Sequence, residues 1–177
     1  MAIAQKSLFI PAATADLALF IEQDIDKALG VNSVELPTIT APTVDVNNHG
    51  TINIPVPNIT DSVVATINFS NITEDVSRFI MGNKTNFTVK WATSGQDTRT
   101  GVAILRGNEV YIEGVVKNAP GGSVTQASGV EAAVETEILV YSRKYNGQEV
   151  FFMDKLSGTI RYNSVLVSDE LTSLISR

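Results

Sequence analysis

The residues of this chain whose types could carry chemistry do not fall into a reactive pattern. Glu22, Asp24 and Asp26 place three carboxylates within five positions, the nearest approach to a metal or acid–base site. A calcium loop needs further oxygen ligands, a glycine and a closing glutamate at set offsets. Those are missing, and the trio reads as a solvated face or a polar subunit contact. His49, the one histidine, stands beside Gly50 where a hairpin tip is expected, which makes it an exposed turn residue rather than a general base. Ser123, Ser128 and the other serines have no second histidine to draw on and no G-x-S-x-G elbow. Trp91 falls at strand spacing and reads as core rather than as a stacking platform for bases. With no cysteine, disulfides, thiol catalysis and thiolate metal sites are excluded. No catalytic, cofactor or metal site is expected.

Composition sets the next bounds. The 177 residues amount to about one domain. Hydrophobic residues make up 44% and charged residues 18%, which excludes intrinsic disorder and leaves an unusually uncharged surface for a free-standing monomer. The 13 basic and 19 acidic residues give a net charge of −6, the wrong sign for gripping nucleic acid through its phosphates. The apolar runs of the first 22 residues are broken by Pro11, Thr14 and Asp16. Neither approaches the ~20 residues that span a bilayer, and none of signal-peptide length follows Lys6. The five Asn-x-Ser/Thr triplets, beginning at Asn58, Asn68, Asn71, Asn83 and Asn86, therefore read as plain abundance of Asn and Thr rather than as glycan acceptors.

Most of the chain has strand character. Val63, Ala65, Ile67 and Phe69 alternate with Val64, Thr66 and Asn68, predicting a strand with one apolar face. Asn71, three residues before Glu74, marks a helix start; Val76, Phe79 and Ile80 follow at helical spacing and Gly82 stops a helix of about two turns. Phe87, Val89 and Trp91 alternate in a further strand. Val102 to Arg106 and Val110 to Lys117 are β-rich, and Gly107-Asn108 between them predicts a hairpin turn. Val134, Thr136, Ile138 and Val140 share one face, with Glu135, Glu137, Leu139 and Tyr141 on the other. Asn146-Gly147 is the strongest two-residue hairpin signal in the chain, so Glu149 to Asp154 should pair back. Thr159 to Asn163 reads as a short strand, and a helix capped by Ser168 should carry Leu171, Leu174 and Ile175 as its apolar stripe. Residues 15–30 fit either period, with local spacing leaning toward helix.

Two stretches are less ordinary. Asn118 to Gly129 is a Gly/Ser/Pro loop in which no Gly-Lys-Ser/Thr follows Gly121-Gly122, so a phosphate cradle is excluded. From Glu35 to Asn58 the chain carries Pro37, Pro42, Pro55 and Pro57 around Asn47-Asn48-His49-Gly50. Proline cannot donate to a ladder, so this stretch predicts a long projecting hairpin with its tip near His49-Gly50. An antiparallel domain with few charges, Pro-marked arms and many uncovered edges either aggregates or is closed by specific neighbours. Self-assembly is the expectation that follows.

The order of several motifs then resembles the major tail tube proteins of contractile-tailed bacteriophages, a family that also supplies the tubes of phage-tail-like bacteriocins. Val34-Glu35-Leu36-Pro37-Thr38-Ile39 leads into a long arm ending near Gly50; Asp61-Ser62-Val63 opens a strand followed by a helix ending in Met81-Gly82. Glu113-Gly114-Val115-Val116-Lys117 precedes Pro120-Gly121-Gly122-Ser123. The most diagnostic stretch runs Val140-Tyr141-Ser142-Arg143-Lys144-Tyr145-Asn146-Gly147-Gln148-Glu149-Val150 and on through Phe151-Phe152-Met153-Asp154-Lys155. The match covers roughly Leu17 to Val167. Departures are Glu22-Gln23-Asp24 in place of an early Asn-Gly turn, Asn163-Ser164 in place of a late one, and about fifteen N-terminal residues without a counterpart.

The resemblance implies a mainly β, antiparallel β-sandwich or barrel-like domain spanning residues 1–177, with one short flanking helix. Residues 1–16 would be an N-terminal extension, 36–57 a projecting arm and 168–177 a C-terminal helix, and Leu17 to Asp24 would be strand. It implies hexameric rings stacked into a tail tube, assembled in the bacterial host cytoplasm and carried in the virion tail. DNA would pass through the lumen without specific binding. The partners implied are copies of the chain itself, a tail sheath protein, a tape measure protein, and tail terminator and baseplate proteins. Glu35, Asp45, Glu109 and Glu113 would face a negative lumen, and Pro37, Pro42, Val44, Asn48, His49, Gly50 and Pro55 would make the inter-ring contact. Two alternatives are the tube of a bacteriocin or related injection machine that carries no genome, and a monomeric β-sandwich binding module. The second predicts an exposed aromatic cluster, whereas aromatic residues are 7% of the chain.

Overall fold

The computed structural model describes residues 9–22, 26, 28, 30–56, 60–122, 124–126 and 128–166. Eleven strands and one short helix follow in the order β1 (Phe9–Ile21), β2 (Val31–Glu35), β3 (Thr43–Asn48), β4 (Gly50–Pro55), β5 (Val64–Phe69), α1 (Glu74–Ser77), β6 (Lys84–Asp97), β7 (Ala103–Val116), β8 (Ala132–Tyr145), β9 (Gln148–Asp154), β10 (Thr159–Tyr162) and β11 (Val165–Leu166). The fold is mainly β and every pairing is antiparallel. The predicted C-terminal helix and Pro57 lie outside the described residues, as do Asp24 of the acidic trio and Ser123.

One nine-stranded sheet runs β1-β6-β7-β8-β9-β10-β11, and β8 also pairs with β5, which pairs with β2. The sheet forks because β8 serves two partners along the edge away from β7: β5 from Ala132 to Glu137 and β9 from Val140 to Tyr145. The Ala28 N–H donates to the Leu19 carbonyl (2.7 Å), returning the chain before β2 to β1 and giving the six strands β1-β6-β7-β8-β5-β2 a barrel-like curl. The concave side is the core: Leu19, Ile21, Ala65, Ile67, Phe69, Phe87, Val89, Val110, Ile112, Val134 and Ile138 are all buried there. Leu17, Leu19 and Ile21 take strand period in β1, so burial against β6 overrides the local leaning toward helix. β1 already begins at Phe9, within the stretch expected as an extension.

Three local expectations are corrected. Gly107-Asn108 is not a turn but the middle of β7, paired to Ala92-Trp91 on one side, with Asn108 facing Tyr145 on the other. The β6–β7 reversal instead occupies residues 98–101, where Asp97 Oδ1 accepts the Arg99 N–H (2.7 Å) and Gly101 takes φ +68. Helix α1 is a single turn whose N-cap is Thr73, not Asn71; the Asn71 Oδ1 accepts the Val130 N–H instead (3.3 Å). α1 is held by packing rather than by caps: Val76 is buried, and the Phe79 ring just beyond it sits 6.1 Å from both Phe69 and Phe87. In β8 the alternation reverses at a bulge, since Glu113 pairs with Val140 while Gly114 pairs with Ile138. Leu139 is the extra residue, and Tyr141 therefore turns into the core rather than away from it.

Asn146-Gly147 forms the predicted hairpin, with φ +49 and +80 and Tyr145 opposite Gln148. Asn163-Ser164 makes a second tight turn with both residues at positive φ (+49 and +64), pairing β10 to β11.

Candidate assembly surface

Three features of this fold face outward, uncovered among the described residues. The first is the arm. β3 and β4 form a separate two-stranded ribbon in full register from Thr43 opposite Pro55 to Asn48 opposite Gly50, with His49 exposed at the tip. Strand period sorts its side chains. Val44 faces Ile54 and Val46 faces Ile52 on one side, all four exposed (42–57%); Asp45–Asn53 and Asn47–Thr51 occupy the other. The root is tied down: the Val56 N–H donates to Pro42 O (2.8 Å), Asp61 N–H to Thr40 O (3.2 Å), and the Thr40 hydroxyl to the Asp61 carboxylate (3.3 Å). Pro37 and Pro42 lie in this half-buried root, Pro55 at the exposed end of β4. The structure thus brings Val44, His49, Gly50 and Pro55 onto the ribbon and Pro37 and Pro42 to its base.

The second feature is the outer face of β6-β7-β8, where register rather than sequence proximity assembles the charges. Lys90, Glu109 and Lys144 stand side by side on three strands, and Glu109 bridges both lysines (3.4 and 3.1 Å). Partial burial opposes the charged form of Glu109, but the hydrogen bond and charge of Lys144, with Lys90 adding, outweigh it and hold the carboxyl below its ordinary range. Four residues along the same face, Glu113 pairs with Lys84 (2.6 Å) and accepts the Tyr111 hydroxyl (3.1 Å). Burial, then that carboxylate, raises the Tyr111 pKa. Glu35 and Asp45 do not join them: Glu35 sits on β2 accepting from the Asn68 amide (3.3 Å), and Asp45 is out on the arm. The lysines were not singled out by sequence; their signal is alternation in two strands, which shows the face but not the neighbour.

Glu137 was likewise not singled out. It accepts the Ser62 hydroxyl (2.7 Å), the Val63 N–H (3.2 Å) and Lys155 (3.1 Å). Burial again opposes the charge, and these donors, Ser62 first, prevail to lower its pKa.

The third feature is edge. β1 is hydrogen-bonded to β6 on one side, and its outer half carries Pro11 and two register shifts, between Pro11 and Ala13 and between Thr14 and Asp16. Ile10, Val102 and Leu105 are exposed (54%, 60% and 68%) on the ribbon that β1, β6 and β7 extend beyond the core. Among the described residues, no group of three His, Asp or Glu side chains converges to hold a metal, and no helix is long and apolar enough to cross a membrane.

Among the described residues, an outer edge on β1, an exposed amphipathic ribbon and a charge-paired outer face are surfaces of the kind that pair with other chains. A comparison with family models matches the phage tail tube protein FII family over residues 13–173, and the chain belongs to that family. It is a structural subunit that self-assembles into a tail tube and a component of the virion tail. No curated protein matches the chain.

Proposed function

We propose that this chain is the tube subunit of a contractile phage tail, closing into hexameric rings that stack around a lumen through which DNA passes during ejection. The observation that carries the reading is the family match across 161 of 177 residues (13–173), on a sheet whose strand β1 has, among the described residues, a strand partner on one side only. Edge-to-edge closure leaves no unpaired backbone row, and six such sheets close a bore. The sheath packs outside, the tape measure protein occupies the bore during assembly in the host cytoplasm, and terminator and baseplate proteins bound the two ends. The arm from 36 to 57 contacts the next ring.

The outer face of β6-β7-β8 lines the lumen in this reading, and its chemistry differs from simple repulsion. Lys84, Lys90 and Lys144 are each held by Glu113 or Glu109. A lysine engaged by a carboxylate in register is a poor phosphate ligand, while the net charge of −6 disfavours DNA at longer range within the ~8 Å screening length. The test is to replace Glu109→Gln together with Glu113→Gln, which frees three lysines without altering shape. Tubes should still assemble, DNA release should slow, and short duplex DNA should be retained at low salt and shed at high salt. Unchanged release and no DNA retention would remove this face from the lumen.

A further inference from the structure

We propose that Lys155 is the positioning residue of the arm: it fastens the arm root to the sheet, so that the ribbon leaves the unassembled subunit in one preset direction. The proposal rests on the tube reading, in which the arm reaches the next ring, and names what aims it. The chain enters the arm through residues 36–42 and returns through 56–61, and among the described residues β3 and β4 pair only with each other. A two-stranded ribbon is marginal by itself, and on two connectors it pivots unless those are held. Asp61 holds them. Its N–H donates to the Thr40 carbonyl (3.2 Å) and its carboxylate accepts the Thr40 hydroxyl (3.3 Å), while its own carbonyl accepts from the Lys155 ammonium (3.0 Å). Two of its polar groups thus join the limbs of the root to each other, and the third joins that pair to the sheet.

Lys155 is a fixed point because it is itself fastened. Its N–H donates to the carbonyl of Leu139 (2.9 Å), the extra residue that the β8 bulge leaves out of the ladder. The turn that carries Lys155 is closed by the Asp154 carboxylate, which accepts the Leu156 N–H (2.9 Å) and the Ser157 hydroxyl (2.8 Å). From there the ammonium reaches Glu137 (3.1 Å) as well as Asp61. Glu137 in turn accepts from Ser62 and Val63, and the Ile138 N–H donates to the Val63 carbonyl (2.8 Å), so the residues next to Asp61 are tied to β8. Burial sets this lysine apart: its side chain is 19% exposed, against 44–61% for the ion-paired Lys84, Lys90, Lys117 and Lys144. An exposed ion pair holds little, whereas a mostly buried ammonium shared by a carboxylate and a carbonyl is a strong, shielded link. An arm held in one direction before contact removes an ordering cost from each docking step.

Because the chain has no cysteine, spin labels can be placed at will. Ile52→Cys on the arm and Met81→Cys on the body, both exposed, are labelled in the unassembled subunit and their distance distribution is read by double electron–electron resonance. Met81→Cys with Leu105→Cys, exposed as well, reports on the body alone. With Lys155 in place the arm pair should give one narrow distribution. Lys155→Met should broaden it at least roughly twofold, with Lys155→Arg close to the original width and the body pair unchanged in both. An arm already broad with Lys155 present, or one that stays narrow in Lys155→Met, would overturn the proposal. If Lys155→Met does not fold or moves the body pair, Thr40→Val, at an exposed position, decides the same question: it should broaden the arm pair alone, and an unchanged width overturns the proposal. In nucleated assembly Lys155→Met should lower tube yield at least roughly tenfold and Lys155→Arg should recover most of it; equal yields would contradict the use of a preset arm. Failure of the chain with Lys155 intact to form tubes would count against the tube reading and leave the measured arm posture standing.

Discussion

Glu137 shows how single residues hold this sheet. One carboxylate joins the entry to β5, through Ser62 and Val63, to Lys155 just past β9, across separations no local rule reports. Its folded pKa and that of Glu109 are lowered, and Asp154 is lowered too, chiefly by the Ser157 hydroxyl, with partial burial opposing. When a folded carboxyl has the lower pKa, the unfolded chain takes up protons first as pH falls. The stabilisation is therefore complete above the unfolded values of about 4 and drains away below them, as pH passes through the lower folded ones. Urea unfolding of the unassembled subunit should give a flat stability from pH 7 to about 5 and a decline below about 4. Glu137→Gln should cost about 1 kcal/mol at pH 7, discounted for its partial exposure, and its curve should approach the unmodified one in acid. Parallel curves across the range would mean that Glu137 adds nothing pH-dependent.

Among the elements, those with strong local chemistry were legible in the sequence and those fixed by pairing were not. Asn146-Gly147 dictates its hairpin because both residues accept positive φ, and the arm was visible because prolines bracket an Asn-His-Gly tip. Gly107-Asn108 has the same kind of signal and no turn, since Gly107 does not take positive φ and Asn108 is buried, donating to Thr93 (3.1 Å) between two neighbouring strands. Only the long-range register decides between them. The acidic candidates were half legible: Glu109 and Glu113 do share a face, but their lysine partners lie 19 to 35 positions away in sequence. The bulge at Leu139 left no local mark either, although Gly114 opposite hints at it. A Cβ there would run into the Glu137 carbonyl and the Thr136 side chain, so β7 and β8 approach too closely for any side chain. Gly114→Ala should destabilise the subunit by about 1–3 kcal/mol, read as a lower midpoint in thermal circular dichroism. An unchanged midpoint would show that the sheet relaxes there at no cost.

For the molecule as a whole, the central claim is that these strands complete their hydrogen bonding and these apolar faces find their cover on other copies. Among the described residues β3 and β4 pair only with each other, apart from the sheet to which β1, β2 and β5–β8 belong. The most direct measurement is electron cryo-microscopy of the intact tail or nucleated polymer, at a resolution that traces this chain. The account predicts a hollow tube in which the chain surrounds the bore, the face bearing Lys84–Glu113 and Lys90–Glu109–Lys144 turns inward, and the 36–57 arm crosses to the adjacent ring. A solid fibre, a solitary subunit in the particle, or this chain placed away from the bore would contradict it.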